Sequence, residues 1–203
     1  MERTSTPNHQ VEETSTGVSH KKILMWAFLA SDCLFFGSLI ATYVLYQRNC
    51  AGAICPVEVF DIPLTSYSAF LLLMSSLTMV LGVWSAQRRN LKWMRIWLLA
   101  TALLGIHFLA NQGFEFNAFV HEGMTPRSSP AGSAFFTLTG LHGTHVTIGV
   151  FWLLSVVAWT FSKSFKRSDP HLNVEIAGLY WHFVDVVWIV IFTVVYLIGV
   201  ITF

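Results

Sequence analysis

Residues 64–86 and 131–161 contain no Asp, Glu, Lys or Arg, and 96–114 and 176–203 contain only Asp185 between them. Coiled at ~1.5 Å per residue, each such run reaches most or all of the way across a hydrocarbon core ~30 Å thick. Segment 23–47 qualifies as well, with Asp32 as its single charge. The chain is therefore read as all-α, a polytopic membrane protein with five transmembrane helices at 23–47, 64–87, 93–119, 131–161 and 174–202. Composition agrees, with 54% apolar and 11% charged residues where a soluble domain carries about 25% charged. The connections are short, so 21–203 is expected to form one membrane domain.

The basic residues are unevenly shared between the two sides of such a bundle. Arg3, Lys21 and Lys22 precede the first span; Arg88, Arg89, Lys92 and Arg95 separate the second and third; Lys163, Lys166 and Arg167 separate the fourth and fifth. Only Arg48 and Arg127 fall on the other side. The positive-inside rule then puts the N-terminus in the cytoplasm and the C-terminus outside. Residues 1–20 are rich in Ser, Thr and Glu, too polar to bury a core, and are expected to be a disordered cytoplasmic tail. Cys33 lies inside the first span as a small apolar residue, while Cys50 and Cys55 flank a short outer loop. Those two are candidates for a disulfide or for two free thiols, and two ligands are too few for zinc.

The ionisable groups inside the spans are the second constraint. At bilayer depth each costs at least ~2.5–3.5 kcal/mol, so they turn toward protein and mark function or polar packing. In the third span His107, Asn111 and Glu115 recur every fourth residue and make one stripe. In the fifth, Glu175, Gly178, His182 and Asp185 share a face. Counted at ~1.5 Å per residue along their helices, Asp32, His142, His145, His182 and Asp185 fall in one layer near mid-membrane. Several of them are expected to hydrogen-bond to one another, because lipid supplies no partner. Three uses fit these residue types. His142-x-x-His145 and His182-x-x-Asp185 suit iron or copper; the same groups suit interhelical hydrogen bonds that fix packing; and they suit proton or ion handling. Spacing does not choose among the three. Trp26, Trp84, Trp93, Trp97, Trp159 and Trp181 stand near span ends, where indoles anchor at the interface.

Four segments carry a resemblance. Gly132–Gly149, GSAFFTLTGLHGTHVTIG, and Asn173–Tyr196, NVEIAGLYWHFVDVVWIVIFTVVY, resemble the last two helices of subunit III of haem–copper terminal oxidases. Ser31–Phe36, SDCLFF, resembles that family's S-E-x-x-F-F segment, and Asn111–Phe116, NQGFEF, its Q-x-x-E-[YF] segment. The four run in order across 23–202.

The resemblance implies a non-catalytic helical subunit docked on subunit I, beside subunits II and IV, in a proton-pumping oxidase of a bacterial cytoplasmic membrane. It implies no haem or copper in this chain, those centres belonging to partner subunits. His142, His145, His182 and Asp185 then fall to internal polar contacts. Glu115, Glu175 and His182 match positions that shape a lipid-holding cleft and the helix packing, and Asp32 matches the family's buried glutamate. Bound phospholipid, support of proton uptake and protection of the active centre during turnover come with the family. Cytochrome c is the expected electron donor, with quinol as the alternative, and either would act only through the complex; no nucleic acid is expected.

Two departures stand out. The longer form of the family has seven spans, so this chain resembles the five-helix bacterial form, whose cleft would be closed by a neighbouring subunit. Asp32 replaces the usual Glu and is one methylene shorter, so any partner must come nearer; both a proton role and a purely structural one stay open for it. A haem-binding membrane anchor and a proton-coupled carrier are the rivals from other classes. Carriers commonly show internal repeats and broken helices, and five spans cannot be halved.

Overall fold

The structure, a computed structural model, describes residues 19–50, 55–162 and 170–199. The tail expected over 1–20 lies almost wholly outside the described residues, as does the basic connection carrying Lys163, Lys166 and Arg167. Helix α1 runs His20–Tyr46, a single-turn α2 Pro56–Val59, α3 Ile62–Gln87, α4 Leu91–His121, α5 Pro130–Trp159 and α6 Pro170–Ile191. The last continues as a π-helical stretch, Phe192–Ile198. Five of these helices are long and apolar enough to cross a membrane, the fifth counted over His171–Ile198.

α3, α4 and α5 begin one or two residues before the hydropathy-based bounds because polar caps, which hydropathy discounts, start them. Asp61 accepts from the Leu64 N–H at 3.2 Å, Asn90 from Trp93 at 3.4 Å and Ser129 from Gly132 at 3.0 Å. Each satisfies one of the orphan donors of a first turn, and Pro63 and Pro130 occupy first-turn positions where no donor is needed. α4 ends in a Schellman turn: Gly123 adopts φ 91°, its N–H bonds Val120 O at 3.1 Å and Met124 bonds Phe119 O at 2.9 Å. Arg89 closes α3 with the same bond pattern at φ 55°.

α6 is the most buried span and α1 the least. α6 packs against α1, α3 and α5; α3 pairs with α4, α4 with α5, and α1 rests on α5 and α6. Trp181 shows how close the packing is. Hydropathy places it near a span end as an interfacial anchor, yet it is 2% exposed, with its benzo edge seated against Gly105 of α4 and Gly149 of α5. Its Nε1 donates to Ser75 Oγ of α3 at 3.0 Å. One indole therefore contacts three helices, and the two glycines are what admit it. Trp26, Trp84 and Trp93 are half exposed, as the interface reading requires.

At the end of the bundle where α1 begins, Arg95 of α4 donates to Thr160 Oγ1 at 2.7 Å and to Thr160 O at 2.6 Å. A guanidinium thus caps the carbonyl end of α5 and binds it to the start of α4. At the other end Cys50 and Cys55 are joined as a disulfide, Cα–Cα 5.4 Å, beside Ala131.

Candidate functional site

Asp32 on α1 and His145 on α5 face each other, with His145 Nε2 3.6 Å from Asp32 Oδ2. The other ring nitrogen, Nδ1, lies 2.8 Å from Leu141 O. A carbonyl only accepts, so Nδ1 is the donor in that bond. At 3.6 Å the contact is longer than a hydrogen bond and acts as a charge or dipole contact. Tyr180 of α6 donates to His145 O at 2.9 Å, which binds a third helix to the same point.

The remainder of the expected layer goes elsewhere. His182 Nδ1 meets Ser76 Oγ of α3 at 2.6 Å, Asp185 lies next to the same Ser76 hydroxyl, and Gly178 lets Val83 and Met79 approach. Gly178, His182 and Asp185 therefore serve the α3–α6 seam. Glu175 instead reaches α1, where Lys22 Nζ stands 2.9 Å away. Among the described residues these imidazoles and carboxylates thus bond to hydroxyls, a carbonyl and a lysine, and only Asp32 and His145 meet one another.

The third-span stripe zips α4 to α3. Asn111 donates to Ser68 at 3.2 Å, Thr65 donates to Glu115 Oε1 at 2.7 Å and Gln112 donates to Glu115 Oε2 at 3.3 Å. His107 is exposed, its ring edge 6.0 Å from Tyr67. The sequence reading missed Thr65 and Gln112, and also Thr78 and Thr101, whose hydroxyls meet at 2.8 Å across the same α3–α4 seam. For Thr65 the signal was present as hydroxyls and small residues at 65, 68, 75 and 82, a helical period on one face of α3.

His142 does not join any of these contacts. It is fully buried, its ring stacked on Trp188 at 5.0 Å and edged by Phe108 at 6.0 Å and Phe36 at 6.4 Å. Neither ring nitrogen has a hydrogen-bond partner among the described residues, nor do Trp188 Nε1, Tyr196 Oη and Tyr43 Oη. Tyr196 stands beside Glu115 and Gln112 without closing a bond of good geometry to either. Each such atom costs about 1–3 kcal/mol if left unsatisfied.

At the basic end of the bundle a groove of ≈ 990 Å³ opens among α1, α5 and α6. Met25, Phe28, Trp152, Trp159, Ile176 and Tyr180 give it apolar walls, Lys21 and Asn173 stand at its mouth, and His145 forms its floor. Among the described residues no three His, Cys, Asp or Glu side chains are grouped so as to hold a metal ion, and the nitrogens His145 Nδ1 and His182 Nδ1 are already engaged.

A family model described as cytochrome c oxidase subunit III matches residues 9–200. The quinol oxidase subunit 3 of Bacillus spizizenii is 42% identical over 174 residues, 86% of this chain and 85% of that protein. The cytochrome c oxidase subunit 3 of Bacillus sp. (strain PS3) is 39% identical over 194 residues, 94% of this chain and 92% of that one. The cytochrome bo(3) ubiquinol oxidase subunit 3 of Pseudomonas aeruginosa is 36% identical over 174 residues, 86% of this chain and 83% of that protein.

Proposed function

Since the chain belongs to the cytochrome c oxidase subunit III family of haem–copper oxidases, we propose that it is the accessory, non-catalytic membrane subunit of a proton-pumping terminal oxidase that reduces O₂ to water. It docks on the catalytic subunit I, alongside subunits II and IV, and the haem and copper reside in those partners. The family match over 9–200 carries this reading.

The chain's own residues support two tasks. Hydrogen bonds at Thr65–Glu115 and Ser76–His182, the Lys22–Glu175 ion pair and the Asp32–His145 contact fix five helices as a rigid block. The groove floored by His145 holds phospholipid: its walls suit acyl chains and Lys21 at its mouth suits a phosphate. Lipid there lies against the Asp32–His145 pair, where it would steady the subunit near the proton-uptake side of subunit I. The bundle end bearing Lys21, Lys22, Arg88, Arg89 and Arg95 faces the cytoplasm of a bacterium, which puts the N-terminus inside.

Cytochrome c is the electron donor in this reading. The 42% identity to a quinol oxidase subunit favours quinol as the second. The test is to purify the complex through a tag on this chain. Haem, copper and oxygen consumption should co-purify, and removal of the chain should leave the initial rate intact but shorten the number of turnovers before inactivation. A preparation without haem would refute the assignment. Oxidation of reduced cytochrome c or of a quinol by that preparation identifies the donor.

A further inference from the structure

Two groups of the bundle's polar contacts lie at different depths. Asp32, His145, Ser76 and His182 lie near its middle, and Glu115, Gln112 and Thr65 lie close to the end where α3 begins. Between them stand His142 and Trp188, both fully buried and stacked at 5.0 Å, with Tyr196 6.3 Å from the Trp188 ring. Phe135 links Tyr196 to Tyr43, at 5.9 Å and 6.3 Å. His142 Nδ1 and Nε2, Trp188 Nε1, Tyr196 Oη and Tyr43 Oη close no hydrogen bond of good geometry among the described residues, Tyr196 Oη standing beside Glu115 and Gln112.

Isolated orphan atoms occur in many proteins, but five in four wholly buried side chains, three packed in series and Tyr43 beyond Phe135, point to one cause. Their chemistry is mixed. Indole N–H only donates, the phenols do both, and a neutral imidazole donates at one nitrogen and accepts at the other. A cation would repel the donors and an anion the acceptors. Water alone matches both, with two to four bonds per molecule. Phe36 and Phe108, both buried, stand edge-on to His142 and wall the region with apolar rings.

We propose that His142, Trp188, Tyr196 and Tyr43 bind a cluster of internal water molecules that joins the Asp32–His145 pair to the Glu115 cluster as one hydrogen-bonded thread through the bundle. His142 is the pivot, being three residues from His145 on α5 and against Trp188 on α6. This hydration site is independent of which oxidase the chain serves.

The assembled complex purified with this chain tests it in two ways. A cryo-EM map that resolves ordered water should show density within hydrogen-bonding distance of Trp188 Nε1 and of a His142 nitrogen. Rings in the same places with no density, or a direct His142–Trp188 or His142–Asp32 bond, overturns the proposal. Ultraviolet resonance Raman difference spectra, wild type minus Trp188→Phe, read the same indole. The expected signature is a hydrogen-bonded N–H that shifts to N–D in D₂O, and an unbonded, unexchanged indole refutes the site. His142→Gln should keep that signature and His142→Phe should weaken it; where the Phe variant fails to assemble, the wild-type exchange decides alone.

Discussion

The Trp181 notch offers the most quantitative test of the packing. A Cβ at Gly105 would stand 2.6 Å from Trp181 Cη2 and 3.0 Å from Val150 Cγ2, where ordinary contact begins near 3.4 Å. Gly105→Ala therefore needs a displacement of about 0.8 Å at an interior packed to native density. The indole cannot swing freely, because Nε1 is bonded to Ser75 and its outer edge already lies on Gly149. Relief must come from separating α4 from α6, and overpacking of this kind costs about 1–3 kcal/mol. At 1.4 kcal/mol per tenfold that is about a 5- to 150-fold loss in the folded-to-unfolded ratio. Gly113→Ala on the same helix is the control. Nothing lies within 4 Å of its added Cβ, so it should gain about 0.5–1 kcal/mol from helix propensity. Denaturant titration of the complex in detergent, followed by dissociation of this chain, measures both. If Gly105→Ala is as stable as Gly113→Ala, the three-helix clamp is wrong.

Glu115→Leu strands Gln112 and should cost about 1–3 kcal/mol, while Glu115→Gln keeps an acceptor for Thr65 and loses less; the same titration ranks them. Asp32→Asn should leave the initial rate of oxygen consumption and the pumping ratio unchanged if the pair with His145 is structural, and stopped-flow proton release in vesicles would expose a proton role as a drop in that ratio. Alkylation and mass spectrometry without reductant should label Cys33 alone, with Cys50 and Cys55 appearing only after reduction. Cys50→Ser with Cys55→Ser should then cost about 2 kcal/mol, the value for so short a loop.

The five spans were legible because lipid leaves few alternatives: uncharged runs 64–86 and 131–161 have one way to satisfy their backbone. Their starts were less so, since Asp61, Asn90 and Ser129 cap helices yet count against hydropathy. The polar residues were legible as a set and not as pairs. Depth can be counted along a helix, but the rotation of one helix against another depends on small residues such as Gly105, Gly149 and Gly178, whose partners sequence spacing does not name. That is why His182 met Ser76 of α3 and not Asp32 or His142, and why Trp181 moved from the interface to the core.

Separating this chain from its complex puts the central claim to the most direct measurement. The account predicts that haem and copper co-purify with the tagged, assembled chain and that, after mild detergent stripping, all visible absorbance and metal stay with the remaining subunits. A Soret band or stoichiometric copper on the detached chain would contradict it.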